Sequence, residues 1–540
     1  MALIASTPVD QMDRPYPRRW CALGVLCLSL LVVVMANTSL IVAAPAMTRD
    51  LGLSASQLQW VIDGYTVPYA ALLLAFGAVG DKYSRRGGLV AGLGLFCLGA
   101  VMGGLVHTTG LVIAARVVMG LGAAAIMPAT LSLLAATFPR NERGRAITAW
   151  SATSGLAVAA GPLLAGWLLQ AHAWGSTFLV NVPIAVVAAL GALVVVPPSK
   201  AGGMGRLDLV GGALSICSVG ALVYAVIQGP NFGWGAGPVT AAAGAGLGLI
   251  AFALWELRQP NPVMDVRKFS ERAFAGPMLA VLMFFFGVIG VVYCCVQQLQ
   301  FVFGYSALST GARLLPLAGA VFLGAAVTGR LVPKLGERVM VTAGMAIGTT
   351  GVLLLTGVSA SSSYGDFVVP FALLGFAIGL SLSPCTDLIM GLFPETQLGV
   401  AGGLNDTALE LGTAFGVAVL GSTLATAYRS HLAGAVANQL PAPALAKAKE
   451  SIGEALAVAR QVAQSPLGGP VQAHRLVVAA DQSFALAVSH SSAVAGVGMG
   501  IATVAVALLV PGRRPPRRRS RLVSLGEVGH HQPTRPAACN

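Results

Sequence analysis

The chain has 540 residues, of which 56% are hydrophobic and 10% charged, with a mean hydropathy of +0.79 and a formal charge of +13. That composition excludes a soluble globular or disordered protein and points to an all-α integral membrane protein, long enough for many spans of about 20 residues each. The basic excess raises the question of nucleic-acid binding, and its placement along the chain answers it.

Residues 1–19 form a polar, proline-bearing N-terminal tail, and the first apolar run is already span-length, so no cleavable leader is expected. Apolar runs then place spans near 20–42, 57–79, 89–106, 111–137, 148–170, 177–196, 209–228, 238–257, 274–299, 309–331, 339–358, 367–391, 401–426 and 485–510. Fourteen spans put both termini on one side. With the N-terminus inside, inner segments hold 24 of the 33 Lys and Arg residues; outer segments hold six, five of them in one long loop where the positive-inside bias is weak. The charge is a topology signal. No aromatic or folded module accompanies the basic stretches, so no nucleic-acid partner is expected. Of eight cysteines, seven lie in apolar segments and Cys539 near the end, so no structural disulfide is expected.

Along the chain, span 2 carries Asp63 toward its outer end. The turn after it, Gly77-Ala-Val-Gly-Asp-Lys-Tyr-Ser-Arg-Arg86, packs one acid and three cations into ten residues, which places it at the membrane surface. Arg116 lies about two turns into span 4, where a guanidinium needs a partner or a wet cavity; it either helps proton coupling, for instance by tuning Asp63, or braces helices through backbone carbonyls. Gly161-Pro162, with Gly166, removes a backbone hydrogen bond and admits close helix approach, so span 5 can bend. Spans 7 and 8 carry ionisable groups only at their inner ends, Asp208 and Glu256, which favours a structural or lipid-facing hairpin over a substrate role. On span 9, Phe284-Phe-Phe286, Tyr293, Gln297, Gln298 and Gln300 offer an amphipathic lining. The charged turn then returns in weaker form as Gly329-Arg-Leu-Val-Pro-Lys-Leu-Gly-Glu-Arg338, which points to two related halves. Aligning the two copies makes 20–196 and 274–510 equivalent six-helix bundles, pseudo-symmetric, with 197–273 an inserted hairpin and its linkers.

Asp387 lies near the inner end of span 12. On span 13, Asp406 and Glu410 are four residues apart, on one helix face and about 6 Å apart along the axis. Carboxylates in a low-dielectric cavity suit binding a proton from one side and releasing it to the other, and two so close tend to share one. The alternative for each acid is a hydrogen bond to a helix end, or for Asp63 a position facing water. The outer loop 429–483 contains Ile452, Leu456, Ala459 and Ala463 at helical spacing, which predicts an amphipathic helix lying on the outer face or capping the exit, the alternative being a loosely ordered loop. The tail 511–540, with Arg513-Arg-Pro-Pro-Arg-Arg-Arg-Ser-Arg521, fits an inner-leaflet anchor for anionic lipid.

Taken together, these motifs resemble the major facilitator superfamily, specifically its fourteen-span drug:proton antiporters, over residues 18–510. Gly77, Asp81, Arg85 and Arg86 match that family's loop motif. Arg116-Val-Val-Met-Gly120 matches its span-4 motif, and Gly161, Pro162 and Gly166 its antiporter motif. Trp60, Asp63 and Tyr65, Phe178 to Pro183, and Gln300 fit the same branch. The span-1 pattern departs: Ala36-Asn-Thr-Ser-Leu-Ile-Val-Ala-Ala-Pro45 has Ala36 and Ile41 where the family carries an acid and an amide, so the resemblance transfers no proton site to span 1. It implies proton-driven efflux of amphipathic small molecules with no cofactor, no metal and no enzymatic activity, by a monomer in the bacterial inner membrane with both termini cytoplasmic. It also implies proton coupling through Asp63, Arg116, Asp387, Asp406 and Glu410. The loop acid is expected to latch the inner gate through Arg85, Arg86 and the inner end of span 13, with Trp60, Tyr65, Tyr293, Gln297 and Gln300 lining the cargo cavity. The same fold hosts dedicated exporters or importers of one metabolite, such as a siderophore or lipid precursor. A membrane enzyme or sensor has no support from motifs: there is no nucleophile with a base, no HExxH, no metal-ligand cluster and no phosphate loop.

Overall fold

The computed structural model describes residues 15–53, 55–200, 208–260, 262–436, 441–464 and 469–512. The first 14 residues, the 201–207 linker and the basic tail from 513 onward, read above as a lipid anchor, lie outside them. All regular structure among the described residues is helical: α1 (Arg19–Leu51), α2 (Ala55–Lys82), α3 (Arg85–Leu105), α4 (Thr109–Thr137), α5 (Arg140–Leu168), α6 (Ser176–Leu179), α7 (Asn181–Val195), α8 (Leu209–Phe232), α9 (Ala236–Glu256), α10 (Arg272–Gln297), α11 (Ala307–Arg313), α12 (Leu315–Leu335), α13 (Glu337–Leu354), α14 (Gly365–Gly391), α15 (Leu398–Ala435), α16 (Ala442–Ala448), α17 (Ile452–Ala463) and α18 (Gly469–Leu509). Short 3-10 and π turns fill some joints. Fourteen segments are long and apolar enough to cross a membrane, the sixth formed by α6 with α7 and the tenth by α11 with α12. Helices are what hydrocarbon demands, because each backbone N–H and C=O must find its partner within the segment.

The ends follow local chemistry. Gly52, at φ 61, closes α1 with its N–H on the Thr48 carbonyl. Ser84 caps α3 by accepting the Gly87 N–H at 2.9 Å, and Asp208 caps α8 through the Gly211 N–H at 2.9 Å.

Small residues let the helices approach to backbone contact. A Cβ at Gly122 of α4 would stand 2.6 Å from the Phe96 nitrogen of α3, and one at Gly290 of α10 2.7 Å from the Gly416 carbonyl of α15. In the first part of the chain α4 packs on α2, α3 and α1, α1 on α5 and α7, and α3 on α7. In the later part α14 packs on α12, α13 and α10, α10 on α15 and α18, and α13 on α18. Replacing spans 1–6 by spans 9–14 turns the first set of partners into the second. The two sets meet where α15 packs on α2 and α4, and where α5 packs on α11, α12 and α14.

Between them, α8 packs on α9, α2 and α15, while α9 leaves Leu247, Ile250 and Leu254 exposed. So the hairpin divides: α9 presents an exposed apolar face, and α8 takes the structural place, packed against α2 and α15.

The outer region departs from its sequence reading. With 38 and 41 residues, α15 and α18 outrun the expected spans. At 1.5 Å per residue they are about 57 and 62 Å long, against a hydrocarbon core of about 30 Å. Their outer ends fold with α16 and α17 into a cap. The Tyr428 hydroxyl donates to the Ala448 carbonyl at 3.2 Å, and its ring meets Phe484 edge-on with centroids 6.0 Å apart. The predicted amphipathic helix exists, as α17, but it buries Ile452, Ala455, Val458 and Ala459 against α18 and leaves Ala463 exposed. Its partner is another helix, and the small Ala455 and Ala459 admit the close approach that such packing needs.

Candidate functional site

The charged turn after α2 packs its acid and first arginine inward against the start of α15, the helix of span 13, while Tyr83 between them stays exposed. Asp81 is 0% and Arg85 3% exposed, and they form an ion pair at 2.7 Å. The other Asp81 oxygen accepts the Gly399 N–H at 2.7 Å and the Val400 N–H at 3.1 Å. These are unpaired amides of the first turn of α15, where the helix dipole also favours an anion. Arg85 continues the contact, donating to the Glu395 carbonyl at 2.5 Å and the Ser199 hydroxyl at 3.1 Å. Arg86 donates to the Val196 carbonyl at 3.2 Å. Gly77 is required by proximity: a Cβ there would run into the Gly399 carbonyl. Burial is affordable because charge, counter-charge and helix end satisfy one another.

At the other end of α2, Asp63 is also buried, with one oxygen accepting from the Gln59 amide and the other from the Gln228 amide, both at 2.8 Å. It does not face water. Gln228 comes from α8, and beside it Tyr224 packs on Trp60 with ring centroids 6.0 Å apart. Trp60 itself is exposed.

Arg116 does not pair with Asp63. Its Nε donates to the Val61 carbonyl at 3.0 Å, its Nη2 reaches the Asn37 side-chain oxygen at 3.4 Å, and its Cζ lies 4.3 Å from the centre of the Tyr65 ring. Tyr65 is buried, with its hydroxyl on the Val33 carbonyl at 3.1 Å. One turn on, the Tyr69 ring lies 5.7 Å from that of Tyr65, and Tyr69 neighbours Glu410 of α15.

Asp406 and Glu410 occupy successive turns of α15. Asp406 is buried; one oxygen accepts from the Asn405 amide at 3.1 Å and the other meets no partner. Asn405 in turn accepts from the Thr386 hydroxyl of α14 at 3.1 Å. Glu410 is partly exposed. The acid pair therefore reaches α14 through Asn405 and α2 through Tyr69. Asp387 sits beside Thr386 and is partly exposed.

On α5, a Cβ at Gly161 would stand 2.8 Å from the Met35 carbonyl of α1. Pro162 meets Gly311, where a Cβ would lie at 3.2 Å, and one at Gly166 would lie 3.1 Å from Leu308. The glycine–proline motif is thus a three-way contact among α1, α5 and α11. On α10 and its π turn, Tyr293 is exposed one turn before Gln297, Gln300 is partly exposed, and Gln298 is buried, donating to the Ser359 carbonyl at 3.4 Å.

Sequence reasoning did not find Gln228, Tyr69, Asn405, Thr386 or Ser199. Each is a polar side chain inside or beside an apolar run, and that was the signal available. Among the described residues no three His, Cys, Asp or Glu side chains gather as metal ligands, and the seven described cysteines are free.

The description of the Major Facilitator Superfamily matches residues 26–417. The chain is 33% identical over 418 residues to the Multidrug resistance protein Stp of Mycobacterium tuberculosis, covering 77% of this chain and 78% of that protein. It is 31% identical over 496 residues to the Methyl viologen resistance protein SmvA of Salmonella typhimurium, covering 91% and 98%. Among solved structures, the human organic anion transporter MFSD10 (TETRAN) superposes with a TM-score of 0.58 at 15% identity, over 75% of this chain and 94% of that one, which is a likeness of fold alone. With its fourteen apolar helices, the chain belongs to the major facilitator superfamily, among the multidrug-resistance transporters.

Proposed function

We propose that this protein exports amphipathic small molecules across the bacterial inner membrane in exchange for protons, as a monomer with both termini in the cytoplasm. The observation that carries the reading is the position of Asp406 and Glu410. They lie deep on α15, the helix whose first turn is held by Asp81 at the inner end of α2. A proton taken up by the pair and a cargo molecule that displaces it then act on the one helix that also closes the inner side. Relatives named for multidrug and methyl viologen resistance support small-molecule export. The repeated helix pairing supports two six-helix halves, 20–196 and 274–510, with 197–273 between them.

In this reading Asp81 with Arg85 is the inner latch and Asp406 with Glu410 the proton site. Tyr69 ties that site to α2, and Asp387 lies on the inner path to it. Asp63, held by Gln59 and Gln228, serves as an outer acid. The contact of Gly161, Pro162 and Gly166 with α1 and α11 is where α5 bends. Trp60, Tyr293, Gln297 and Gln300 are the cargo-facing polar and aromatic groups, and Tyr65 supports Arg116 from below.

The test is proton release. A panel of amphipathic compounds of either charge, methyl viologen, puromycin and 2-naphthoate among them, identifies the cargo, and a panel member that is cargo should acidify the medium when added to detergent-solubilised protein in weak buffer. The double variant Asp406→Asn, Glu410→Gln should abolish that release; an unchanged signal removes the assignment of the proton site. Uptake of the same compounds into inverted vesicles, with and without an imposed pH gradient, separates antiport from uniport.

A further inference from the structure

The proton site proposed on α15 supplies no counter-charge to Arg116, the most buried cation among the described residues. Arg116 is 0% exposed, and everything it touches is neutral: the Val61 carbonyl, the Asn37 amide oxygen and the Tyr65 ring. Its Nη1 has no hydrogen-bond partner. A guanidinium keeps its charge at any physiological pH, and a buried one without a counter-charge is expensive to hold. Bracing does not account for it. Nε and Nη2 already tie α4 to α2 and α1, and Nη1 is surplus to that task. Position 36, next to the contacting Asn37, is an alanine. No acid neutralises the arginine from that helix.

We propose that Arg116 anchors an anionic group of the cargo, and that this transporter takes organic acids, meaning a carboxylate, sulfonate or phenolate on an apolar skeleton, in preference to amphipathic cations. Nη1 is enclosed in this conformation, and it becomes a charge-assisted donor for an anion when α1, α2 and α4 part around it in the transport cycle. The Tyr65 ring and the packing of α4 on α1 and α2 hold the arginine in low dielectric, where one incoming negative charge is favoured strongly and a cation is rejected. The proposal rests on the export reading for the cargo's route, but binding is measurable without transport.

The experiment uses the full chain in detergent and three probes: 2-naphthoate, its uncharged match 2-naphthamide, and the cation tetraphenylphosphonium. Equilibrium dialysis should show naphthoate bound about tenfold or more tighter than naphthamide, the amount a charge-assisted contact supports. Arg116→Gln should erase that preference. Asn37→Asp guards against a variant that merely misfolds, because it sets a carboxylate where the amide oxygen lies, 3.4 Å from Nη2. This variant should melt at or above the wild-type temperature, lose naphthoate by about tenfold and gain tetraphenylphosphonium. Asn37→Asp binding naphthoate as wild type does, or wild type binding the amide as tightly as the acid, overturns the proposal. So does stabilisation by chloride alone with no preference for naphthoate, which would mark a small-anion site. In inverted vesicles, pH-driven uptake of tetraphenylphosphonium without naphthoate sinks the organic-acid assignment and leaves proton-coupled export standing. Naphthoate binding with no pH-driven uptake of any probe sinks the export reading alone.

Discussion

Asp81→Asn is the sharpest perturbation the inner contact offers. The carboxylate bonds Arg85 on one side and two α15 amides on the other, at 2.7, 2.7 and 3.1 Å, with both charged side chains buried. Asparagine keeps one oxygen and turns the other into a donor. If its oxygen stays on Gly399 and Val400, its NH2 faces the Arg85 Nε–H, donor against donor. If it turns round, the same clash falls on the helix end. Removing one partner of a buried pair costs about 3–5 kcal/mol. Arg85 keeps the Glu395 carbonyl and the Ser199 hydroxyl, which moderates the loss to about 2–3 kcal/mol, or roughly 30–150-fold in the equilibrium between the made and broken forms of this contact. Hydrogen exchange followed by mass spectrometry on peptides spanning residues 395–404 reads this directly. Amides of the first turn of α15 should exchange on the order of 100-fold faster in the variant. Protection within about twofold of wild type would refute the claim that this carboxylate holds the two helices together.

Gly161→Ala should lower detergent stability by about 1–3 kcal/mol, read as a melting shift, because its methyl meets the Met35 carbonyl and the Thr38 hydroxyl; Gly94→Ala, with open space around it, should be near neutral. Gln228→Leu removes one of the two amide donors of the buried Asp63 and should cost about 1–3 kcal/mol, with slower efflux; an unchanged melt and rate would return α8 to a spectator role. Val458→Asp puts a charge into the α17–α18 contact and should expose the outer cap to limited proteolysis while inner-end protection at residues 395–404 stays intact.

The spans were legible because hydropathy over twenty residues is a strong signal, and all fourteen reappear as helices. The overrun of α15 and α18 was not, because residues 427–435 and 469–484 mix His, Arg, Gln and Asp with alanine. Hydropathy stops there while helix propensity does not, and packing with α16 and α17 carries the helices on. The charged turn was legible as a motif, yet its burial depended on two backbone amides 318 and 319 residues away. The expectation that Arg116 tunes Asp63 failed for the same kind of reason. The amides of Gln59 and Gln228 take Asp63 first, and the second of them lies 165 residues on, in a helix that looked like a lipid-facing insert. Spacing on one helix, as for Asp406 and Glu410, transfers well from sequence; pairing between helices does not.

Under the proposed two-half architecture the two copies of the charged turn are not equal locks. Gly77 corresponds to Gly329, but Asp81 corresponds to Pro333 and Arg85 to Glu337. The helix equivalent to α15 is α5, and its first turn carries its own acid, Glu142, bonded to Arg19 of α1 at 2.7 and 3.0 Å. That pair is partly solvated, so water screens it, and it joins two helices of the same half. Among the ion pairs of the described residues, the buried one is Asp81–Arg85, which reaches across the halves to α15. Gly399 lies seven residues from Asp406 and eleven from Glu410, about 10 and 17 Å along a single helix. A helix is stiff over that length. A change of charge at the acid pair and a change of contact at Asp81 are then two loads on one rigid element, and coupling needs no longer pathway than α15 itself.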